Sequence, residues 1–500
     1  MKWKIPFCVR FKLPHQNKHR KKESSVDIIQ QVARKMVDEI CSTIQNIGLS
    51  DIERTIKALH PIVSSTVLNI VGACVAEMDS ALVTGAKALR RKDRITVKER
   101  NVPRTILTEL GELTYKRTYF QQQDGKFVYL LDHMIGVTEY ERISKELVAD
   151  ILQASSVKSY QQAIDTTKQE ISRQTVHNRL VALDDLTAEV ERVENTPEVL
   201  DLFADEDHVH LTPKGSALVP LVTITEGIDT SNPKRHKTIH PLHIGAYGME
   251  QAAFNENVLA VLTERYDLDR VKQINVHADG GNWIQGLQKL IPHSRLIMDG
   301  YHLEKRLKAF LRLEGAWQYA AVIRKAMSKE DGYEALEKYC ASIYARQSTE
   351  SGKEKVRDFT AYCASHWDAI VRRMQKTVCG SCTEPMVSHV LSERLSRNPI
   401  AWSKDGLNKM TMLVVFRKNG GHVNGNDVRI RVNRQAKACF YEDGYARYHN
   451  YAQKQADEVL KVKHDWSLFE HQCSVFGKVD GIYLIRKSFG AMKPLLDFVS

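Results

Sequence analysis

Two apolar segments of the sequence each run into an aspartate that is followed by glycine. The segment QINVHADGG reaches Asp279, and the segment RLIMDG reaches Asp299. Strands that end at a carboxylate, before a glycine and a helix, place ligands at the edge of an α/β sheet. The segment VLDLFADEDHVHL repeats this pattern at Asp205, and Glu384 lies far downstream where a helical pattern starts. These carboxylates are the residue types that a metal-dependent phosphoryl-transfer site needs.

Phosphodiester cleavage requires an activated oxygen nucleophile and neutralisation of the charge that builds on the leaving oxygen. Two Mg²⁺ ions about 3.5–4 Å apart supply both. Mg²⁺ prefers hard oxygen ligands and keeps several waters, so a few carboxylates suffice to hold it. We therefore expect Mg²⁺, with Mn²⁺ as the open alternative, to be bound by Asp205, Asp279 and Glu384.

Two of these aspartates have alternative interpretations. Asp207 shares a strand face with Asp205 because side chains alternate along a strand, so either could be the ligand. Asp205 is favoured because it directly ends the apolar run. Asp279 could instead cap the helix that begins at Asn282, although Gly280 and the next glycine permit a tight turn and close approach of a ligand.

The remaining polar residues of the pattern are more ambiguous. Asp299 and His302 form a DxxH pair that could be further ligands, a hydrogen-bonding support for the site, or a helix N-cap. Glu384 cannot be separated from Glu393 on the residues alone, since both begin a plausible helical turn.

The charge of the chain favours a polyanionic partner. The 500 residues carry 72 Lys and Arg against 61 Asp and Glu, a formal net charge of +11. Residues 1–22 hold eight basic and no acidic residues and form a basic arm. The arm ends in four residues expected to contact the DNA backbone: Lys18, Arg20, Lys21 and Lys22.

Cysteine use and apolar patterning predict a cytoplasmic protein. The nine cysteines are scattered and odd in number, which argues against a disulfide framework and for a reducing compartment. The N-terminal arm lacks the apolar core of a signal peptide. The apolar stretch from Leu59 to Ala76 is interrupted by Pro61 and polar residues, so we expect a buried helix and no membrane segment.

The N-terminal third predicts a helical region followed by a small sheet. Residues 23–100 show apolar positions at helical spacing. Residues 101–138 predict a meander of about three strands, at Thr105–Leu110, Glu112–Phe120 and Lys126–Leu131.

Residues 139–190 resemble a DNA-binding helix-turn-helix. Ser172 is a good N-cap for its second helix, which carries Val176, Leu180 and Leu183 on one face. A plain helical hairpin would give the same pattern. In a helix-turn-helix, the residues facing the major groove would be Arg173, Gln174, His177, Asn178 and Arg179.

Residues 197–410 predict an α/β catalytic domain with a mixed sheet. Meandering strands, a helix, and then strand–helix–strand follow the element order of an RNase H-like fold. A helical insertion at about 310–380 would separate the last strand from Glu384. Residues 411–500 predict a further α/β region of unknown role, with strands at Met412–Phe416 and Asp427–Val432 and a helix from Gly444 to about Val462.

Several of these segments together resemble one family. The stretch CTEPMVSHVLSERLSRNPIAWSKDGLNKM, with ADEDHVHL, HADGGNWI and MDGYHL, is similar to bacterial insertion-sequence DDE transposases of the ISLre-two type, in the Mutator-like group. The resemblance covers almost the whole chain. It implies an RNase H-like fold with Asp205, Asp279 and Glu384 as the catalytic triad, and it matches Asp299 and His302 to the family's C/DxxH motif.

The resemblance implies that the chain mobilises an insertion element. It would bind double-stranded DNA at the terminal inverted repeats, cut at the element ends and join the freed 3′-hydroxyl to target DNA, as a homo-oligomer near the nucleoid. Two rival hypotheses keep the basic regions but change the chemistry. One is a DNA-binding protein whose acids are structural; the other is a metal-dependent nuclease or resolvase on the same sheet.

Overall fold

The protein is described from a computed structural model, which covers residues 25–47, 51–232, 237–375, 380, 382–398 and 400–428. The described residues form two compact units, one ending at Arg142 and the other beginning at Ile143. The basic arm, with Lys18, Arg20, Lys21 and Lys22, lies outside the described residues.

The first unit is a helical hairpin followed by a small antiparallel sheet. In chain order its elements are α1 (Ser25–Ile47), α2 (Ile52–Ser80), α3 (Lys87–Lys92), β1 (Thr96–Thr108), β2 (Gly111–Gln121), β3 (Phe127–Val128) and α4 (Leu130–Met134). The sheet is the expected meander, ordered β1–β2–β3, but it starts at Thr96, earlier than the predicted boundary at residue 101. The third strand is shorter than predicted, because Leu130 and Leu131 are buried at the start of α4. Its buried core includes Leu82, Phe120 and Leu131.

The apolar stretch Leu59–Ala76 is helical, as expected, but the prediction that it is buried was wrong. Val63, Val67 and Val71 in this stretch are exposed by 42%, 40% and 40%. Ile52–Thr84 is the one helix, among the residues the structure describes, that is long and apolar enough to cross a membrane; core helices and signal sequences also meet these two criteria. Apolar composition predicted a helix here but not what covers it.

The second unit is built around a mixed sheet. Before the sheet come α5 (Lys145–Ser155), α6 (Tyr160–Thr167) and α7 (Arg173–Val181). The sheet region holds β4 (Val199–His210), β5 (Ser216–Thr225), β6 (Ile228–Asp229), β7 (Lys237–Thr238), β8 (Leu242–Gly245), α8 (Gln251–Arg265), β9 (Gln273–Ala278), α9 (Asn282–Leu290) and β10 (Ser294–Met298). The remaining helices are α10 (Gly300–Leu311), α11 (Ala320–Met327), α12 (Tyr333–Arg346), α13 (Glu350–Ser365), α14 (Trp367–Met374), α15 (Thr383–Val387), α16 (Glu393–Leu395) and α17 (Lys404–Lys418).

The main sheet has the strand order β10–β9–β4–β5–β8. β4, β5 and β8 pair antiparallel, whereas β9 and β10 run parallel to β4. One face of the sheet packs on α8 and α9 through a buried core that includes Leu202, Val222, Val258, Ile274 and Leu287. The parallel strands therefore end at the same edge of the sheet.

Helices α10–α14 form their own core beside the last strand. Leu307, Ile323, Leu336 and Ile370 are buried there, and the rings of Phe310 and Phe359 stack with their centroids 4.0 Å apart. These helices lie between β10 and Glu384, where the sequence predicts a helical insertion.

The predicted strand at Met412–Phe416 was wrong. These residues lie inside α17, which Ser403 caps by accepting a hydrogen bond from the amide of Gly406. Val414, Val415 and Phe416 resemble a strand by type, but tertiary burial of Leu407, Met410 and Leu413 favours a helix that packs on the sheet unit. The predicted strand at Asp427–Val432 is described only to Val428, which is not in a strand, and the predicted helix from Gly444 lies outside the described residues.

Candidate active site

The sheet edge at β4 and β9 brings two of the predicted acids together. The parallel ladder between these strands ends at the pair Phe203–His277. Asp205 and Asp279 each lie two residues beyond that pair, on the same side of their strands. β4 does not stop at Asp205, as the sequence suggested, but continues to His210 through its pairing with β5. The acids therefore lie where the two strands diverge.

Asp205, His302 and Glu384 converge at this edge. One potential ligand atom from each residue lies within 4.8 Å of those of the other two. His302 comes from the first turn of α10, directly after β10, and Glu384 from the first turn of α15. Three segments separated by long stretches of sequence thus meet at one point; we call these three residues the acidic cluster.

Asp279 lies beside the acidic cluster but is not one of the three grouped residues. Its Oδ1 accepts a hydrogen bond of 2.8 Å from the amide of Gly281, within a turn where Gly280 has φ +91°. It gives α9 no side-chain cap, which argues against the N-cap interpretation. Its negative charge is close enough to raise the pKa of Asp205.

The carboxyl group of Asp205 is electrostatically unusual. The residue is 7% exposed, and its Oδ1 accepts a 2.9 Å hydrogen bond from the amide of Glu206. Burial, reinforced by the charge of Asp279, raises its pKa to about 7, although the hydrogen bond and His302 oppose the shift. The protein alone therefore stabilises the negative charge of an ionised Asp205 poorly, and a bound cation would stabilise it.

Asp207 has a different partner set from Asp205. Its Oδ1 accepts hydrogen bonds from the hydroxyls of Ser392 and Ser396, at 3.0 and 2.8 Å. Burial raises the pKa of Asp207, and the two hydroxyls oppose that shift. Asp207 thus attaches the segment that follows Glu384 to β4, and Asp205 is the member of the pair that joins the acidic cluster.

Asp299 caps the helix that carries His302. Its Oδ2 accepts a 3.0 Å hydrogen bond from the amide of His302, and its own amide donates to the carbonyl of Ala278 on the neighbouring strand. The residue is 1% exposed. Of the three interpretations of the DxxH pair, the structure gives Asp299 the capping role and places His302 in the acidic cluster.

A buried polar layer lies one step down the same two strands. Asp201 Oδ1 accepts hydrogen bonds from His277 Nε2 at 2.8 Å and from Asn275 Nδ2 at 3.0 Å. The ring of His277 stacks on Phe203 at 4.7 Å between centroids. Cross-strand bonds of this kind fix the register of β4 and β9, and hence the positions of Asp205, four residues after Asp201, and of Asp279, two residues after His277.

His366 is a residue of the site that sequence reasoning missed. It lies at the junction of α13 and α14, and a Cβ placed on Gly280 would be 2.7 Å from its Cε1 atom. Burial lowers its pKa, while the nearby charge of Asp279 opposes the shift. No motif marks a histidine between two helices of an insertion; only the tertiary fold brings it onto the Asp279 turn.

The acidic cluster has the donors for a divalent cation. Two carboxylates and one imidazole suit Mn²⁺ and related ions, while the carboxylates alone suit Mg²⁺. The buried Nδ1 atom of His302 has no hydrogen-bond partner within the described part of the chain. A buried, unpartnered nitrogen beside a carboxylate with a raised pKa is a good fit to a metal site.

The predicted recognition helix is only partly available to DNA. Ser172 caps α7, as expected, and Arg173, Gln174 and Asn178 are exposed. His177 is half-buried, and its ring packs against α17, since a Cβ on Gly406 would lie 3.1 Å from its Cε1 atom. Arg179 is half-buried. The exposed edge of α7 therefore consists of three of the five predicted residues.

We expect Asp205→Asn to stabilise the metal-free protein increasingly as the pH rises from 5 to 8. The pKa of Asp205 is raised to about 7 from 3.8, so its protonated form contributes stability that is lost as the pH rises through that range. The gain in unfolding free energy at pH 8 should be roughly 1–4 kcal/mol. Urea unfolding with EDTA at both pH values measures it, and equal effects at pH 5 and 8 would contradict the electrostatic explanation.

We expect His302→Ala to weaken Mn²⁺ binding by roughly 10–100-fold and Mg²⁺ binding less, because imidazole is a better ligand for Mn²⁺. Titration calorimetry with each ion measures both affinities. His208→Ala, an exposed histidine on β4, is the matched control and should leave both unchanged. An unchanged affinity for Mn²⁺ would show that His302 is not a ligand.

Comparison with known proteins gives the chain a family. Residues 45–431 match the model of an uncharacterised protein family, UPF0236. A UPF0236 protein of Caldanaerobacter subterraneus subsp. tengcongensis is 29% identical over 409 residues, 80% of this chain and 85% of the relative. Another, from Streptococcus gallolyticus, is 23% identical over 392 residues, 74% of this chain and 83% of the relative. The chain thus belongs to the UPF0236 family.

Proposed function

We propose that the chain is a DDE-type DNA transposase, which cuts DNA at the ends of an insertion element and joins those ends to target DNA. The observation that carries the proposal is the convergence of Asp205 and Glu384 with His302, beside Asp279, at one sheet edge. These residues come from four segments, and they were singled out without the structure: Asp205, Asp279 and His302 by their motifs, and Glu384 by the family resemblance. Structural caps would have no reason to converge in this way.

The sheet supports an RNase H-like catalytic domain. An antiparallel meander of β4, β5 and β8, then α8, then β9 and β10 parallel to β4, follows the element order expected of that fold. The helices α10–α14 would be its insertion before Glu384. Function still has to be argued from the site, since one fold supports many activities.

The names of the relatives add a separate argument. The name of one Caldanaerobacter protein joins eleven designations, and that of a second joins four. We take several designations for one protein to mean several copies of its gene in one genome. Repeated copies are what an element leaves when its own product moves it.

The side chains of the site would have different chemical roles. Asp205 and Glu384, with Asp279 beside them, would hold Mg²⁺ or Mn²⁺, which when bound supplies an activated nucleophile and offsets charge on the leaving oxygen. Asp205 and Glu384, which come from two elements, would fix the position of that ion, and hence of a phosphate bound to it, in the geometry of the site. The cap by Asp299 holds His302 in place, and Asp207 holds the segment that follows Glu384.

The DNA contacts would come from α7 and the basic arm. The exposed polar edge of α7, with Arg173, Gln174 and Asn178, suits base edges in a major groove. The arm, with Lys18 and its basic neighbours, suits the phosphate backbone. We further propose that the protein acts as a homo-oligomer on DNA in the bacterial cytoplasm, since two element ends must be held together.

The decisive assay is strand transfer with Mg²⁺ and labelled duplexes taken from the borders of the DNA that surrounds the gene. We expect joined products from the natural protein and none from Glu384→Gln, because removal of one carboxylate weakens the charge stabilisation of the transition state. Glu393→Gln is the matched control: Glu393 is exposed, 3.9 Å from the Lys418 ammonium, and should be fully active when changed.

The products separate the proposal from its rivals. Cut DNA that is never joined would indicate a nuclease or resolvase. Binding without cleavage, unchanged in Glu384→Gln, would indicate a DNA-binding protein whose acids are structural. Equal loss in Glu384→Gln and Glu393→Gln would mean that neither glutamate acts as assigned.

Changes in α7 and in the arm should affect DNA binding differently. Replacing Gln174 and Asn178 by alanine should reduce the preference for the border duplex by about 1–3 kcal/mol per lost base contact. Replacing Lys18, Arg20, Lys21 and Lys22 should flatten the dependence of binding on salt without changing sequence preference. Fluorescence anisotropy across a salt series measures both, and identical behaviour of the two variants would contradict this division.

A further inference from the structure

A buried arginine joins the α5–α7 helices to the segment behind Glu384. Arg394 on α16 is 8% exposed, and its Nε donates a 2.6 Å hydrogen bond to the carbonyl of Ser155 at the end of α5. Its guanidinium lies 4.7 Å from the ring centroid of Trp402 and 5.7 Å from that of Tyr160. We call Ser155, Tyr160, Arg394 and Trp402 the Arg394 joint.

The buried charge of Arg394 gives the folded protein less stability than an ordinary structural contact would. Arg394 forms no ion pair with any described residue, so two aromatic faces and one carbonyl stabilise its buried charge. Well-packed apolar side chains usually stabilise such a position as well or better. Buried polar groups of this kind are retained most clearly where they fix one relative arrangement of two elements.

One side of the joint is continuous with the catalytic strand. Trp402 donates from Nε1 to the carbonyl of Leu395, its amide donates to the carbonyl of His210, and its carbonyl accepts from the amide of Thr212. It therefore extends the end of β4, the strand that carries Asp205.

Arg394 also lies in the same helical segment as Glu384. A helical run leads from α15, through a π-helical turn at Ser388–Ser392, into α16. Ser392 and Ser396, on either side of Arg394, both donate to Asp207. Arg394, the Asp207 bonds and Glu384 thus belong to one segment.

The other side of the joint carries the exposed edge of α7. The three helices are tied again to the end of the catalytic unit: the amides of Val423 and Gly425 donate to Gln153 and Glu146 on α5. His177 on α7 packs against Gly406 of α17. Helices α5–α7 are therefore fixed to the catalytic sheet at several points.

We propose that the Arg394 joint sets the offset between the DNA sequence that α7 reads and the phosphate that is cut at the acidic cluster. The inference rests on the proposed function. Its substrate is a duplex in which a recognised segment lies at a constant number of base pairs from the cut. We assign Arg394, Tyr160 and Trp402 as positioning residues, since Arg394 and Trp402 are buried and the three side chains contact one another.

The test maps cut positions at single-nucleotide resolution on the border duplex, together with the footprint of the bound protein. The natural protein should cut at one position relative to its footprint. Arg394→Lys should cut at several neighbouring positions, with the rate at the original one reduced by about 10²-fold, because small misplacements of a reacting group have effects of that size. Binding to the duplex should be unchanged.

Tyr160→Leu gives a second variant in case Arg394→Lys fails to fold, since it removes one aromatic face and keeps an apolar side chain. Arg90→Lys is the matched control: Arg90 is 6% exposed, donates from Nε to the carbonyl of Leu82 at 2.7 Å and lies 5.5 Å from the Phe120 ring. It belongs to the other unit and should leave the cut position unchanged.

Each outcome separates the inference from the proposed function. No cutting by the natural protein would overturn both. Suppose that the natural protein cuts at a single position and that Arg394→Lys and Tyr160→Leu cut at the same position, even at a lower rate. This result would overturn the role of the Arg394 joint in setting the offset and would leave the proposed function unaffected. An equal spread of cut positions in Arg90→Lys would show that the spread reflects a general loss of stability. That result would also overturn the proposed role of the Arg394 joint.

Discussion

Burial of the Asp205 carboxyl group, with the charge of Asp279 beside it, is the constraint around which the second unit is organised. Asp205 and Asp279 lie where β4 and β9 diverge, and burial together with this proximity holds the pKa of Asp205 near 7. Such an arrangement lowers the stability of the protein unless a cation enters it. The surrounding structure must therefore hold the Asp205 carboxyl group in this unfavourable position, and its hydrogen bonds are placed to do so.

These hydrogen bonds fix elements that lie progressively further from the acidic cluster. The Asp201–His277 pair fixes the two strands directly below them, Asp299 fixes the helix of His302, and Asp207 fixes the segment that follows Glu384. Arg394 then extends the same segment to the helices that we propose bind DNA. Each of these groups is buried and polar, so each specifies one arrangement at some cost in stability.

The sequence predicted the parts of this unit that depend on local pattern. The apolar segments that run into Asp279 and Asp299 are the strands β9 and β10, as expected, because both are short apolar runs between polar turns. Asp205 and Glu384 were identified with their neighbours Asp207 and Glu393 as open alternatives, and the geometry of the cluster distinguishes them. What local pattern could not give was tertiary contact: His366 on the Asp279 turn, His177 against α17, and the residues around Arg394. The helix at Met412–Phe416 was mistaken for a strand for the same reason, since burial on α17 outweighs the strand preference of its β-branched residues.

Iron-directed cleavage of the polypeptide would test most directly whether these acids form a metal site. Fe²⁺ takes the place of Mg²⁺ or Mn²⁺ at carboxylate and histidine ligands, and ascorbate with peroxide then cuts the chain close to the bound ion. If the acidic cluster binds the ion, cuts will fall beside Asp205, Asp279 and Glu384, will be suppressed by excess Mn²⁺, and will disappear in Asp205→Asn. Cuts scattered along the chain, or unchanged in Asp205→Asn, would contradict a metal site at this sheet edge and with it the proposed phosphoryl transfer.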